Sequence, residues 1–421
     1  MTPARPPEPA RGALRHAGAL FADRAFLLMW FAMLASTAGT FLLLLALSLT
    51  LFTGSGSGFQ ASAVFGVQWL LPLAAAPLIG WLGSRFRPRG VLAAADVAGA
   101  LLSLAVGFAY GSGLLAVFVL LALRGLAEAV TKSVRVVALK RHMRPADLER
   151  AASLFNTSQY LGGAVGGLLG AALVERLTLP EIAAIDALTF VFAALCYLLL
   201  PAEIRREGTG GPPPTARVWR AARRALAGRP GLLANFHYLL LVTAIFQGFH
   251  NVARTPLPVG QLGLGAGGLM LLQVLSSTAI VAGALFVALF MQGPRGRVHP
   301  ALLVAATAAA MVGAVLLREP VASLALYTVF IFGFEVAFTK VQKDVILDCP
   351  DEAIAHVSAL ANALQMALMM VVVFLGGGLM DHVGLAATAF AAAAAAGVWM
   401  LYVRMATAAR FERAPALEAG P

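Results

Sequence analysis

Charge is what this chain has least of. Of its 421 residues only 12% are Asp, Glu, Lys or Arg, against 60% hydrophobic residues and a mean hydropathy of +0.84. A soluble domain is about a quarter charged, so too little polar surface exists here to cover the apolar mass in water. Cysteine is nearly absent as well. Cys196 and Cys349 stand far apart, which excludes a disulfide framework and any Cys-based metal spacing. Lysine occurs only at Lys132, Lys140, Lys340 and Lys343, and none follows a glycine. A phosphate-binding P-loop needs that pair, so ATP-driven work by this chain alone is not expected. No Cys/His cluster or nucleophile elbow is present, and neither enzyme chemistry nor a cofactor or metal is expected.

Long apolar runs are what the chain has instead. Stretches such as 26–52 and 114–123 are continuous rather than alternating. Only helices and closed barrels satisfy the backbone in hydrocarbon, and continuous runs read as helices. At about 20 residues per span there is room for roughly twelve. The predicted spans are 25–52, 59–82, 90–111, 114–139, 150–175, 180–200, 231–254, 266–291, 298–318, 320–343, 354–380 and 383–404. The first run is too long for a signal-peptide core and lacks a small-residue cleavage site, so it reads as a span.

The net charge of +11 is distributed by loop. Arg85, Arg87 and Arg89 share one loop, Lys140, Arg141, Arg144 and Arg150 another, and Arg295 and Arg297 a later one. Arg205, Arg206, Arg217, Arg220, Arg223, Arg224 and Arg229 fill the central one. The intervening loops 53–58, 110–113, 175–181 and 256–266 hold almost no basic residues. Basic charge on every second loop is the positive-inside pattern. It places both termini and the central loop in the cytoplasm, for a protein of a bacterial cytoplasmic (inner) membrane. No aromatic-rich soluble domain accompanies the charge, so a nucleic-acid partner is not expected.

The chain divides into five segments: a tail 1–24, a six-helix bundle 25–201, a linker 202–230, a six-helix bundle 231–404 and a tail 405–421. The linker holds a Gly/Pro-rich stretch, 208–214, then an arginine-rich piece that reads as an amphipathic helix at the inner membrane surface. The two bundles repeat each other. Thr131-Lys132 recurs as Thr339-Lys340, Pro145 and Ser153 as Pro350 and Ser358, and Asn156 and Gln159 as Asn362 and Gln365. The offsets are 208, 205 and 206, as expected for a parallel repeat about an axis along the membrane normal.

With these residues in view, the chain resembles the major facilitator superfamily over nearly its whole length. Arg124-Gly125-Leu126-Ala127-Glu128, Arg144-Pro145-Ala146-Asp147-Leu148 and the glycines from Gly162 to Gly167 resemble its export-type branch, which includes enterobactin-exporter-like proteins. The resemblance implies an all-α polytopic fold of 12 transmembrane helices in two pseudo-repeated bundles. It places Arg124 where that family has a recurring cavity arginine. The loop from Gly80 to Arg89 is similar to the family's gating motif, implying gating roles for Gly80, Arg85 and Arg89, but Gly83 or Ser84 stands at the acidic position. The fifth span is similar to the antiporter motif, with Gly162, Gly163, Gly166, Gly167 and Gly170 present and Gly163 in place of its proline.

Ionisable residues inside apolar spans cost about 2.5–3.5 kcal/mol each on insertion scales and so demand a reason. Arg124, Glu128 and Lys132 follow an i, i+4, i+8 spacing on one helix face. At ~1.5 Å per residue, Glu128 lies about 16 Å and Lys132 about 10 Å from the cytoplasmic end. Asn156 and Gln159 fall near the same depths on the next span. This face is either the wall of a transport cavity or a charge ladder that fixes packing. Glu335, Asn362 and Gln365 are its counterparts in the second half. Gln247, His250, Asn251 and Arg254 cluster toward the outer end of the seventh span, as an outer gate, a substrate contact or interfacial polarity. Gln68 and Gln273 are further cavity candidates. Glu128, Glu335, Asp96 and His250 are the candidates to carry a coupling proton. Asp96 has an alternative role as partner of a loop arginine.

These residues point to secondary active transport: a proton-coupled exporter, acting as a monomer, of a small anionic or amphipathic metabolite. Import of organic anions, flipping of a lysophospholipid-like molecule, and a transporter-like sensor that moves nothing are the alternatives.

Overall fold

A computed structural model describes residues 20–144, 147–201, 215–291, 298–350 and 352–411. Most of both tails, the 202–214 stretch of the linker, and Pro145 fall outside the described residues, as does the side chain of Asn156. The first half contains α1 (Arg24–Ser55), α2 (58–85), α3 (Pro88–Ala109), α4 (Leu114–His142), α5 (Leu148–Leu173) and α6 (Leu179–Leu198). Helix α7 (Thr215–Ala227) comes after the linker. The second half contains α8 (230–253), α9 (Gly265–Phe290), α10 (Pro300–Leu316), α11 (Pro320–Asp348), α12 (354–383) and α13 (385–411). Among the described residues, eight apolar helical stretches are long enough to cross a membrane, and the last is two helices joined at Gly384. With α2, α5 and the shorter α10 the spans among those residues number twelve.

Local chemistry sets the helix ends. Asp23 caps α1 by accepting from the backbone N–H groups of Ala25 and Phe26. Proline opens α3, α8, α10 and α11, where the missing N–H costs nothing. The exposed Glu319 caps α11, and the N–H groups of Ala322 and Val321 hold its carboxyl below the usual carboxylate range. Gly384, at φ 83°, makes the reversal between α12 and α13.

Three interruptions depart from the expected spans. The second span, predicted as one helix, breaks into Gly58–Gly66, a 3₁₀ turn Val67–Trp69, Leu70–Ala74 and Ala76–Arg85. Pro72 and Pro77 lie in or beside the breaks, where proline removes a backbone donor. Helix α8 carries a π-helical stretch, Val242–Gln247, and a second one, Pro256–Gln261, lies just beyond it. Helix α7 forms where the amphipathic segment is predicted. Ala222 and Leu226 are buried while Arg223 and Arg224 are exposed, and the helix packs on the α12–α13 stretch.

Each half has its own apolar core. One cluster joins Phe26, Met29, Val134, Phe155 and Tyr197 of the first half. Another joins Leu241, Phe246, Met311, Phe330 and Val357 of the second. The halves meet along two helix pairs, α5 with α9 and α2 with α12. Exchanging the halves converts one pair into the other, the relation a two-fold axis along the membrane normal imposes.

The glycines of α5 divide between two neighbours. A Cβ at Gly166 would lie 2.5 Å from the Ala38 carbonyl oxygen, and one at Gly162 2.8 Å from that of Leu34. These two glycines therefore set α5 against α1 within the first half. Gly163, Gly167 and Gly170 face Gln273, Val274 and Met270 of α9, across the boundary between halves. Small residues allow close helix approach in a bilayer, and here one helix uses them on both faces. Gly166→Ala is expected to cost about 1–3 kcal/mol by overpacking. Gly167→Ala meets only the side chains of Gln273 and Val274, at 3.1 Å or more, and is expected to melt near wild type. Thermal unfolding of both proteins in detergent checks this; equal midpoints would refute the division.

Candidate functional site

A cavity of about 350 Å³ lies between the halves, within the size range of small-molecule sites. Helices α1, α2, α4 and α5 wall it on one side, through Thr37, Thr40, Phe41, Gln68, Trp69, Glu128, Lys132, Gln159 and Tyr160. Helices α8, α9, α11 and α12 wall it on the other, through Gln247, His250, Asn251, Arg254, Gln273, Ser276, Glu335 and Gln365.

The charge face of α4 forms as its spacing predicts, and then divides. Lys132 Nζ is 2.7 Å from Glu128, and Arg124 is 3.6 Å from Glu128 on the other side. Lys132 also sits 4.9 Å from the Trp69 ring. Glu128 and Lys132 line the cavity, but Arg124 does not. The expectation that Arg124 is a cavity residue is corrected here: its side chain is fully buried behind the wall. Its guanidinium donates to Asp186 at 2.7 Å, Thr40 at 2.8 Å and Ser103 at 2.9 Å. Ser103 donates in turn to Asp186 at 2.7 Å. Four helices (α1, α3, α4 and α6) thus meet at one guanidinium.

Asp186 is the residue sequence reasoning missed. An acid in the middle of an apolar span is a sufficient signal, but its partner lies 62 residues away. Asp96, a candidate proton carrier, is also buried outside the cavity wall and accepts from Thr131 at 2.9 Å rather than pairing with a loop arginine. Asn362 is on the exposed side of α12 and does not line the cavity. Arg85 and Arg89 are exposed at the α2–α3 loop, and Gly80 lies more than a turn before the end of α2.

In the second half the π turn of α8 brings Thr243, Gln247, His250, Asn251 and Arg254 to the same wall. A π turn inserts a residue into the helical repeat and rotates the side chains beyond it. Thr243 donates to Gln365 at 3.1 Å, and His250 shares a hydrogen bond of 2.8 Å with the Tyr327 hydroxyl. Glu335 accepts from Thr339 at 2.8 Å. Lys340 is bound to Asp344 and Lys343 to the Met291 carbonyl, so neither neighbouring lysine serves Glu335.

One end of the cavity is closed by bonds between the halves. Ser48 and Thr255 hydroxyls meet at 2.7 Å. Beyond them the Asp381 carboxylate, at the end of α12, accepts from Ser57 Oγ at 2.7 Å and Gly58 N at 2.6 Å. A carboxylate there also complements the positive N-terminal end of α2.

The Arg124–Asp186 pair generates a stability prediction. Removing one member of a buried pair leaves an uncompensated charge and costs about 3–5 kcal/mol. Asp186→Asn and Arg124→Gln are each expected to lower the melting midpoint and yield sharply, and Arg124→Met with Asp186→Leu to recover most of the loss. Single variants that melt as wild type, tested by thermal unfolding in detergent, would show the pair to be dispensable for folding.

Comparison with known proteins places this architecture. No curated protein matches the chain by sequence. Among solved structures, it is similar to a POT family transporter in complex with a thioalcohol-conjugated peptide: TM-score 0.73, 11% identity, covering 91% of this chain and 96% of that one. It is similar to the nucleoside transporter NupG, with TM-score 0.72, 13% identity and coverage of 91% and 98%. A bacterial homologue of the human lysosomal transporter Spinster, inward-facing and unoccupied, gives TM-score 0.69, 13% identity and coverage of 92% and 95%. The sequence pattern of one family matches residues 29–373. With that match and a twelve-helix fold around a central cavity, the chain belongs to the Major Facilitator Superfamily.

Proposed function

We propose that this transporter exports a small anionic or amphipathic metabolite in exchange for protons, by alternating access, from a bacterial cytoplasm. The moving bodies are residues 25–201 and 231–404, acting as a monomer with both termini inside. The observation that carries the reading is a polar cavity walled by both halves and closed at one end by Ser48–Thr255 and Asp381–Ser57 bonds. Those bonds join one half to the other, so separating the halves at that end opens the cavity there. The glycine face toward α9, at Gly163, Gly167 and Gly170, supports export through its likeness to the antiporter motif.

The proton falls to Glu335 rather than Glu128. Glu128 is held between two cations, and neutralising it would leave Lys132 without its ion-pair partner, since only Arg124 keeps a second carboxylate, Asp186. Glu335 is buried in the cavity wall, with Thr339 as hydrogen-bond partner and no ion pair among the described residues. Its charge can change without breaking an ion pair.

Metabolites retained by cells lacking the protein, compared with cells expressing it, identify the substrate to load into proteoliposomes. Wild-type protein is expected to move protons with that substrate. Glu335→Gln is expected to exchange substrate across the membrane while proton movement falls at least about tenfold. A Glu335→Gln protein with the wild-type proton-to-substrate ratio would remove Glu335 from the role, leaving Glu128 and His250 in the cavity wall. Accumulation instead of loss in expressing cells would reverse the direction, and no flux at all would favour a sensor.

A further inference from the structure

Every cation in or directly behind the cavity wall can be asked for its counter-charge. Arg124 has Asp186 and Glu128, and Lys132 has Glu128. Arg254 has none. It lines the cavity and is 5% exposed, yet among the described residues no ion pair or hydrogen bond reaches its guanidinium, and its Nε is buried without a partner. Two aromatic rings of the other half flank it instead: Phe65 on α2, 4.5 Å from ring centroid to guanidinium carbon, and Phe41 on α1, at 5.7 Å. Ring faces attract the cation but supply no acceptor for its N–H groups. The neighbouring wall of α9 carries two more unmet polar atoms, Gln273 Oε1 and Ser276 Oγ.

A buried, unpaired charge is costly, and at a cavity wall a bound ion is one partner that satisfies such a group. Arg254 lies next to Thr255, whose hydroxyl closes the sealed end against Ser48. We infer that Arg254 is the anion-binding subsite of the cavity, holding the carboxylate of an organic monoanion whose apolar body lies along Phe41, Phe65 and Phe334. One planar guanidinium matches one carboxylate through two parallel N–H···O bonds. The aromatic flanks favour an apolar chain or ring behind that head over a second charge. This inference rests on the transport reading only in taking the bound anion to be the transported species. The guanidinium belongs to the second half and both rings to the first. An anion held there is therefore gripped at the seam that must part when the sealed end opens.

Purified protein in detergent tests this without any transport assay. The probes are 4-phenylbutyrate, 4-phenylbutan-1-ol and 4-phenylbutylamine, which share a body and differ in head group. Wild-type protein is expected to be stabilised against heat by the carboxylate and not by the alcohol or the amine. In Arg254→Gln the apparent affinity for the carboxylate is expected to fall at least about tenfold, the loss of one charge-assisted contact, while Arg254→Lys keeps part of it. Without any probe, Arg254→Gln is expected to melt at or above the wild-type midpoint, because it removes an uncompensated charge, whereas Arg124→Gln melts below it. The inference is overturned if the carboxylate fails to stabilise wild type, if the alcohol does so equally, or if Arg254→Gln keeps the carboxylate effect. An Arg254→Gln protein as destabilised as Arg124→Gln also overturns it, since the arginine is then structural. Carboxylate binding without gradient-driven flux leaves the subsite standing and removes the transport reading. Full-rate flux through Arg254→Gln does the reverse.

Discussion

Arg124 and Asp186 meet at 2.7 Å where neither side chain touches solvent, and much of the first half is arranged around that contact. A buried ion pair needs further hydrogen bonds to offset its desolvation. Thr40 and Ser103 supply them from α1 and α3. Glu128 of α4 lies 3.6 Å from Arg124 Nη1, and the Phe190 ring covers the guanidinium at 5.0 Å, while Arg124 Nη1 and Asp186 Oδ1 make no hydrogen bond among the described residues. Moving any one of these helices outward breaks a bond at the guanidinium. The pair therefore acts as a constraint on the half as a body. It also anchors Glu128, and through it Lys132, at the cavity wall.

A rigid half needs a surface on which to move, and the boundary with the second half is built differently. Across it lie the glycine face of α5 against α9, the Asp381 carboxylate at the start of α2, and the hydroxyl pair of Ser48 with Thr255. Apolar packing crosses it as well, with Leu269 and Met270 of α9 in a cluster of first-half residues, and water can solvate the hydrogen-bonding groups once they part. On the alternating-access reading proposed above, this contrast in bonding, a buried ion pair within a half and exchangeable hydrogen bonds between halves, would let the bodies separate without unfolding. The α2–α3 loop, by comparison, keeps Arg85 and Arg89 exposed and has no acid at Gly83 or Ser84. The acid that latches the seam, Asp381, lies at the opposite end of α2.

Charges at the cavity sort by whether a partner is present. Glu128 and Lys132 neutralise each other, so they shape the wall more than they attract a ligand. Arg254 and Glu335 have no ion-pair partner among the described residues. The field inside the cavity is set by those two, one cationic and one acidic, both supplied by the second half and faced by aromatic and amide groups of the first. Asymmetry of this kind is absent from the repeat pattern, which pairs Thr131-Lys132 with Thr339-Lys340 but has no Arg254 counterpart among the matched residues.

The sequence by itself determined the solvent, the helical class, the number of spans and the repeat, because these depend on quantities that run along the chain: apolar length, loop charge and recurring spacing. It also picked out part of the cavity wall. Glu128, Lys132, Gln159, Gln247, Asn251, Glu335 and Gln365 all line it, since a polar residue in an apolar span has few places to go. Tertiary structure alone decided which way each residue faces. Arg124 and Glu128 share a helix face one turn apart, yet only the second reaches the cavity, because Asp186, far away in the chain, draws the guanidinium to the other side. The π turn at Val242–Gln247 did the same for α8, turning to the cavity a cluster that the sequence leaves open between outer gate, substrate contact and interfacial polarity. Periodicity predicts neither, since a side chain's direction is settled by the partner that satisfies it.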